Sequence, residues 1–342
     1  MVGVAPRKSC FIIAEAGVNH DGDVEKAEEL IRVAAEAGAD AVKFQTFQPE
    51  LLATEHAPKA SYQQASTPEG ESQFEMLSRL ALTQADQLRL RTLCQSLDLQ
   101  FLSTPFDQDS ADFLEKIGVP LFKVGSGDLT NLPLLAHIAR KTRPIILSTG
   151  MATLGEVEEA LKTLRGNGAT DVTLLHCVSN YPAAPEDVNL KAMDTLAVAF
   201  GLPVGYSDHT LGIEVAIAAV ARGAAVVEKH FTLDRQASGP DHSASADPAE
   251  LEALVRGIRI VERALGTGRK QPAAAEKDTA RAARRSIVAI QSVARGDRLT
   301  LAHLGMRRPG TGLPASALRF VENRIAARDI VAGTVLSLED LC

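Results

Sequence analysis

V204-G-Y-S-D-H-T210 and, after a helical pattern, V226-V-E-K-H-F-T232 are two short apolar runs that each end in an imidazole. Short runs rich in valine, separated by a helical stretch, are the signature of parallel strands joined by crossover helices. Six further runs of this kind lie upstream: Phe11–Gly17, Ala41–Thr46, Leu99–Phe106, Leu121–Gly127, Pro144–Gly150 and Val172–Val178. Eight units in roughly 270 residues match the number and size of a (β/α)8 TIM barrel. The competing architecture, a doubly wound open sheet, would show a glycine-rich phosphate loop after its first strand, and A14-E-A-G-V-N-H20 is not one.

The helical stretches carry start signals. Asp23 is placed to cap a helix with an apolar stripe at Ala27, Leu30, Ile31 and Ala34. A helix near Thr83 precedes the third run, T153-L-G-E156 has the spacing of a capping box, and D247-P-A-E250 adds an N1 proline to the same device. The last of these starts a helix over 249–265 that would complete the barrel domain, residues 1–268. G266-T-G-R-K-Q-P-A-A-A-E276 reads as a linker, taken over 269–283. Beyond it, 284–342 changes texture to short β-type runs and turn glycines, the pattern of a small, mainly β module. The long connection from Gln48 to about Leu80 reads either as a lid or as an ordered surface loop.

Composition excludes several roles. Of 342 residues 45% are apolar, so a large core is within reach, but aromatics are only 4% and tryptophan is absent. That argues against platforms of stacked rings for carbohydrate or bases. The net charge of -7 is mixed along the chain, with no basic stripe for nucleic acid. The scattered cysteines Cys10, Cys94, Cys177 and Cys342 read as reduced thiols. No run approaches the ~20 apolar residues of a membrane span and the N-terminus shows no signal peptide, so the expectation is a cytoplasmic protein without membrane contact.

Polar residues gather late in each run, where a barrel places its catalytic mouth. His209 and His230, with oxygen ligands from substrate and water, suit a first-row divalent metal acting as a Lewis acid. Asp241 follows in G239-P-D-H-S243. Lys43 and Lys123, with hydroxyls from Thr104, Ser126, Ser148 and Ser207, form a cradle for a phosphocarboxylate. A lysine at a strand end can instead form a Schiff base, the chemistry of an aldolase without metal. Glu15 and Asp128 are the acids available for proton transfer, unless each is only the ion-pair partner of a lysine.

The residues I13-A-E-A-G-V-N-H-D-G22, V42-K-F-Q-T46, F101-L-S-T-P-F106, K123-V-G-S-G127, I146-L-S-T-G-M151, L175-H-C177, Y206-S-D-H-T-L-G212, E228-K-H-F-T232 and G239-P-D241, in that order, resemble the sialic acid (N-acetylneuraminate) synthases. R308-P-G310 resembles a marker of that family's C-terminal antifreeze-like (SAF) module. The resemblance covers nearly the whole chain. It implies a TIM barrel followed by an antifreeze-like domain, in a homodimer that exchanges C-terminal modules. It implies condensation of phosphoenolpyruvate with the open-chain aldehyde of N-acetylmannosamine, with phosphate leaving by C–O cleavage. A 2,4-diacetamido-2,4,6-trideoxy sugar, giving a legionaminic-type acid, is the alternative acceptor. By position it makes His209 and His230 ligands of Mn²⁺ or Mg²⁺. Lys43, Thr104, Lys123, Ser126, Ser148, Ser179 and Ser207 would hold phosphoenolpyruvate and Asn180 the sugar, with the choice between Ser179 and Asn180 as the ligand contact left open. Glu15, Gln45, Tyr181, Asp241 and the partner's copy of Arg308 would face the sugar, with Glu15 handling the proton of the water that adds at C2. Some members carry Glu where this chain has Asp128.

Overall fold

The computed structural model describes residues 9–342. The N-terminal stretch inspected for a targeting signal begins in residues 1–8, outside the described residues. Among the described residues no helix is long and apolar enough to cross a membrane. The chain divides into two compact units, one ending at Gly266 and one running from Thr267 to Cys342.

The first unit contains eight parallel strands: β1 (Phe11–Gly17), β2 (Ala41–Thr46), β3 (Gln100–Pro105), β4 (Phe122–Val124), β5 (Ile145–Ser148), β6 (Val172–Cys177), β7 (Val204–Asp208) and β8 (Val226–His230). Their order is β3-β2-β1-β8-β7-β6-β5-β4, and β3 lies beside β4, which closes the ring. This is the expected TIM barrel. The principal helices of the unit are α1 (Val24–Glu36), α2 (Ser61–Ser66), α3 (Gln73–Leu80), α4 (Gln84–Ser96), α5 (Gln108–Ile117), α6 (Leu132–Ala139), α7 (Leu154–Gly166), α8 (Ala192–Phe200), α9 (Glu214–Ala221) and α10 (Pro248–Leu265). The caps act as read. Asp23 accepts from the amides of Glu25 and Lys26, and Thr83, Thr153 and Asp247 each form a reciprocal box with the acidic residue three positions on. Each satisfies amides that the first helical turn leaves unpaired.

Side chains alternate across a strand with period two, and that parity builds the barrel interior in layers. Ile13, Ala41, Leu102, Ile146, Leu175 and Val226 form a buried apolar plug. Two residues further along the same strands the inward side chains become Glu15, Lys43, Thr104, Ser148, Cys177 and Glu228. Lys123 and Ser207 stand at the same level on β4 and β7. Every one of these is at most 5% exposed. The larger core lies between strands and helices, filled by residues such as Phe44, Phe101, Leu135 and Leu254.

The connection after β2 is not a bare loop. It folds into short helices that include α2 and α3, organised around buried Lys59, whose ammonium donates to Thr67 Oγ1 and Pro68 O, both at 2.7 Å.

The second unit pairs β9 (Ser286–Ala289) with β10 (Leu304–Arg307) in an antiparallel ribbon over its own small core of Ile287, Val293, Leu299 and Leu336. The segment read as a linker contains a helix, α11 (Lys277–Ala283). Its alanines favour helix, and it docks on the turn after β10. The Gly310 amide donates to Arg281 O at 2.7 Å, and Arg308 Nε donates to Ala283 O at 3.0 Å. Glycine and proline marked the break in the sequence, but the helix that follows is fixed by contacts to residues 25 and 29 positions away.

Candidate active site

A cavity of about 470 Å³ opens at the C-terminal ends of the strands. Its floor is the polar layer. Lys43 Nζ lies 2.7 Å from Glu15 Oε2 and donates to Thr104 Oγ1 at 3.0 Å. Glu228 sits between the two lysines, with Oε2 3.7 Å from Lys43 Nζ and Oε1 3.5 Å from Lys123 Nζ, and it accepts from Ser207 Oγ at 2.8 Å. Two buried carboxylates thus face two buried ammonium groups.

Burial and charge pull these groups in different directions. Burial lifts Glu15 to about 7, against the pull of Lys43. Burial would raise Glu228 as well, but Lys123 and Lys43 outweigh it and hold that carboxylate below its ordinary range. Lys43 is held above the ordinary lysine range because Glu15 and Glu228 outweigh its desolvation. For Lys123 burial prevails over Glu228 and the shift is downward.

One part of the lining is rich in hydroxyl groups. Ser126 Oγ accepts from the Gly150 amide at 2.9 Å and stands 3.1 Å from Cys177 Sγ. A Cβ at position 150 would overlap Ser179 Oγ and come within 2.9 Å of Ser126 Oγ and Cys177 Sγ, so a side chain here would displace these groups from the cavity lining. Ser148 Oγ is buried without a hydrogen-bond partner. A buried hydroxyl ordinarily has a hydrogen-bond partner, so Ser148 is a candidate contact for a bound group.

Next to it in the same cavity stand the imidazoles. Their rings are 5.5 Å apart, and Tyr181 packs on both, 4.1 Å from His209 and edge-on to His230 at 5.5 Å. Tyr62 of α2 lies against Tyr181 at 4.9 Å and, with Gln63, closes part of the mouth. His209 Nδ1 meets Val178 O at 2.6 Å, which makes it the protonated nitrogen and leaves Nε2 as a lone-pair donor. His230 Nδ1 is buried without a hydrogen bond, with Asp241 Oδ2 3.6 Å away. Burial lowers His209, and burial together with His209 lowers His230 further, so both rings are neutral and able to ligate. Among the described residues no group of three or more His, Cys, Asp or Glu side chains has metal-binding geometry. The two neutral imidazoles are thus the protein donors that a divalent ion would have here, and its remaining positions would have to be filled by water or substrate. Asp241, lifted to about 6 by burial, lines the same cavity. Gly17 turns the end of β1 with a φ of +52°, and a Cβ there would lie 3.4 Å from Glu15 Oε1 and 3.5 Å from both Asp241 Oδ2 and His230 Cε1.

The structure brings Glu15, Lys43, Gln45, Thr104, Lys123, Ser126, Ser148, Ser179, Tyr181, Ser207, His209, His230 and Asp241 into this one cavity. Three other residues named from the sequence stand elsewhere. Asp128 does not line the cavity; it turns into the short helical turn after β4 and accepts from Asn131 Nδ2 at 3.0 Å. Asn180 is exposed and donates to Pro182 O at 3.1 Å, whereas its neighbour Ser179 faces the cavity. Arg308 belongs to the second unit, exposed on the turn after β10. Sequence reasoning missed Glu228, Cys177, Tyr62 and Gln63 as lining residues. The first two were legible from parity: Glu228 shares a face with His230, and Cys177 lies two residues beyond inward-facing Leu175.

Residues 30–270 match the NeuB family model and residues 284–341 match the SAF domain. The chain belongs to the NeuB family. It is therefore a sugar-acid synthase of transferase type with a C-terminal antifreeze-like domain. This NeuB chain is 48% identical to the N,N'-diacetyllegionaminic acid synthase of Legionella pneumophila, over 99% of this chain and 97% of that one. It is 39% identical to the human N-acetylneuraminate-9-phosphate synthase, over 87% and 83% of the two chains. The crystal structure of N-acetylneuraminic acid synthetase from Leptospira borgpetersenii, in complex with citrate, superposes with a TM-score of 0.70 at 35% identity, covering 82% of this chain and 94% of that one. The Schiff-base aldolase reading falls with family membership, and the ammonium of Lys43, locked between two carboxylates, is a poor nucleophile.

Proposed function

We propose that this enzyme joins phosphoenolpyruvate to the open-chain aldehyde of an N-acetylated amino sugar. N-acetylmannosamine is the first acceptor, giving N-acetylneuraminate. The observation that carries this reading is the gathering of two lysines, several hydroxyls and two neutral imidazoles in a single cavity. C3 of phosphoenolpyruvate bonds to the aldehyde carbon, whose oxygen takes up a proton. Water adds its oxygen at C2, and phosphate leaves with the bridging oxygen as that C–O bond breaks.

Lys43, Lys123, Thr104, Ser126, Ser148, Ser179 and Ser207 hold the phosphate and carboxylate. Gln45, Tyr181 and Asp241 orient the sugar. Glu15, poised near neutrality, takes the proton of the attacking water. His209 and His230 hold Mn²⁺ or Mg²⁺, which when bound polarises the aldehyde carbonyl.

A second acceptor class has its own support. Val18, Leu52, Met76, Leu77 and Phe106 give the cavity an apolar side. That side suits the methyl of a 2,4-diacetamido-2,4,6-trideoxy sugar, and it offers no cationic cluster for a 6-phosphate. Phosphate release from phosphoenolpyruvate should therefore be assayed across N-acetylmannosamine, its 6-phosphate and the diacetamido sugar. Turnover of either unphosphorylated sugar supports the reading. Release with the 6-phosphate alone would overturn it.

The same reading makes the enzyme a homodimer whose C-terminal modules are exchanged, with Arg308 serving the partner's sugar. Two features support it. The module has an excess of Arg and Lys over Asp and Glu, whereas the barrel has the reverse. Arg308 is braced through Nε alone, which leaves the outer fork of its guanidinium for a ligand. Heterodimers of an Arg308→Ala chain with a His209→Ala chain are expected to work better than either parent homodimer, because one mouth then holds both intact groups. Verified heterodimers with no recovery would place Arg308 outside the partner's site.

A further inference from the structure

Behind the two histidines, on the outward face of the same strands, lies a second pair of charged groups. Asp208 precedes His209 and Lys229 precedes His230, and the two are direct partners in the β7–β8 ladder. Strand parity turns them away from the cavity toward the helix layer. Their side chains are 0% and 2% exposed, and Lys229 Nζ lies 2.7 Å from Asp208 Oδ2. A buried ion pair is seldom the most stable filling for such a place, since well-packed apolar residues serve as well or better. Its value has to lie in what it holds.

The bonds show what that is. Lys229 Nζ also donates to Thr210 O at 2.7 Å. Asp208 Oδ1 accepts from the Thr210 amide at 3.0 Å and from Thr210 Oγ1 at 2.8 Å. The amide, carbonyl and hydroxyl of residue 210 are therefore all tied to the ion pair. His209 is the residue between Asp208 and Thr210, one position past the end of β7, where the strand ladder no longer fixes the chain. Its carbonyl accepts from the Ala183 amide at 2.8 Å and its Nδ1 is fixed at Val178 O. Ring and backbone are held from the neighbouring loop, and the flanking peptides are held from the strand that carries His230.

We propose that Asp208, Lys229 and Thr210 form a positioning latch that sets His209 against His230 for a single divalent cation. The inference rests on the metal reading given above. None of the three residues touches substrate; they act through the imidazoles, by giving β7 and β8 a common fixed point one residue before each ligand.

The double variant Asp208→Asn/Lys229→Met tests it, because removing both charges together leaves neither ion stranded in the core. Mn²⁺ is titrated into metal-stripped protein without substrates, and the free ion is read by electron paramagnetic resonance. Loss of groups that orient metal ligands costs about 10–100-fold in affinity, and that is the expected rise in the Mn²⁺ Kd. The phosphoenolpyruvate Kd of the metal-free protein should stay within about twofold of wild type on the same argument, since the latch faces away from Lys43 and Lys123. Thr210→Val keeps the ion pair and removes only the hydroxyl anchor. It should weaken Mn²⁺ in the same direction by less, and it decides the matter alone if the double variant does not fold. A latch with only a structural role would lower the melting temperature and leave the Mn²⁺ Kd of the folded protein unchanged; that result overturns the proposal while the metal reading stands. Wild-type protein that takes up no Mn²⁺ at His209 and His230 overturns both.

Discussion

Stripped of divalent metal by chelator, the enzyme is expected to release phosphate at least ~10³-fold more slowly than with Mn²⁺ or Mg²⁺ restored. Polarising a carbonyl with a metal ion contributes several kcal/mol, and about 4 kcal/mol is a factor of 10³ in rate. His209→Ala and His230→Ala should each produce a loss of the same order, and added metal should not rescue them. The structure gives the reason for expecting each to suffice. The protein supplies two imidazoles and no third close ligand among the described residues, so losing one leaves a single point of attachment. Both rings are kept neutral by burial, so no proton has to be displaced near pH 7 before the ion binds. Circular dichroism of the variants should remain that of the wild type, because neither ring belongs to the large apolar core. Full turnover in protein shown by elemental analysis to be metal-free would end the Lewis-acid reading.

The barrel was legible because its signal is redundant. Eight runs, most separated by helical patterns and several of these opened by a start signal such as Thr153–Glu156, point to the same architecture, and an error in one leaves the others standing. The site was legible for a related reason: the mouth of a barrel collects whatever stands at strand ends. What escaped lies in two places. Residues of the long connection after β2, such as Tyr62, reach the site from a segment whose short helices are tied together by Lys59, and nothing local in S61-Y-Q-Q-A65 announces contact with Tyr181. Helix α11 was missed because alanine and glycine near a domain boundary read as a linker, while the partners that order it, Arg308 and Gly310, come much later in the chain. Asp128 and Asn180 were named from the sequence but do not line the cavity. Each sits next to a cavity residue in sequence, yet a tight turn sends its side chain elsewhere. Adjacency along a strand predicts opposite faces, and adjacency in a turn predicts very little.

Glu15→Gln should lower kcat by about 10²–10⁴-fold, the usual contribution of a positioned general base, and should change phosphoenolpyruvate affinity much less. Glutamine keeps the shape of the side chain and a partner for Lys43, which also retains Thr104 and Glu228, so the lysine and hydroxyl cluster survives. The pH dependence separates this role from simple packing. Burial has lifted Glu15 to about 7, so in the free enzyme it is a proton acceptor above that value and loses that capacity below it. The wild-type kcat/KM should therefore fall as the medium is made more acidic, by tenfold per pH unit once past the limb. A bound divalent cation favours the carboxylate form and moves the limb to lower pH. In Glu15→Gln that limb should vanish, leaving a low rate that is flat across the same range. The neighbouring carboxylate cannot take over, because Glu228 is held ionised between Lys43 and Lys123 and is too weak a base to replace Glu15. A Glu15→Gln enzyme with near wild-type kcat, or with the same acidic limb, would move proton transfer to another group. Asp241, lifted to about 6 beside His230, would then be the first to test.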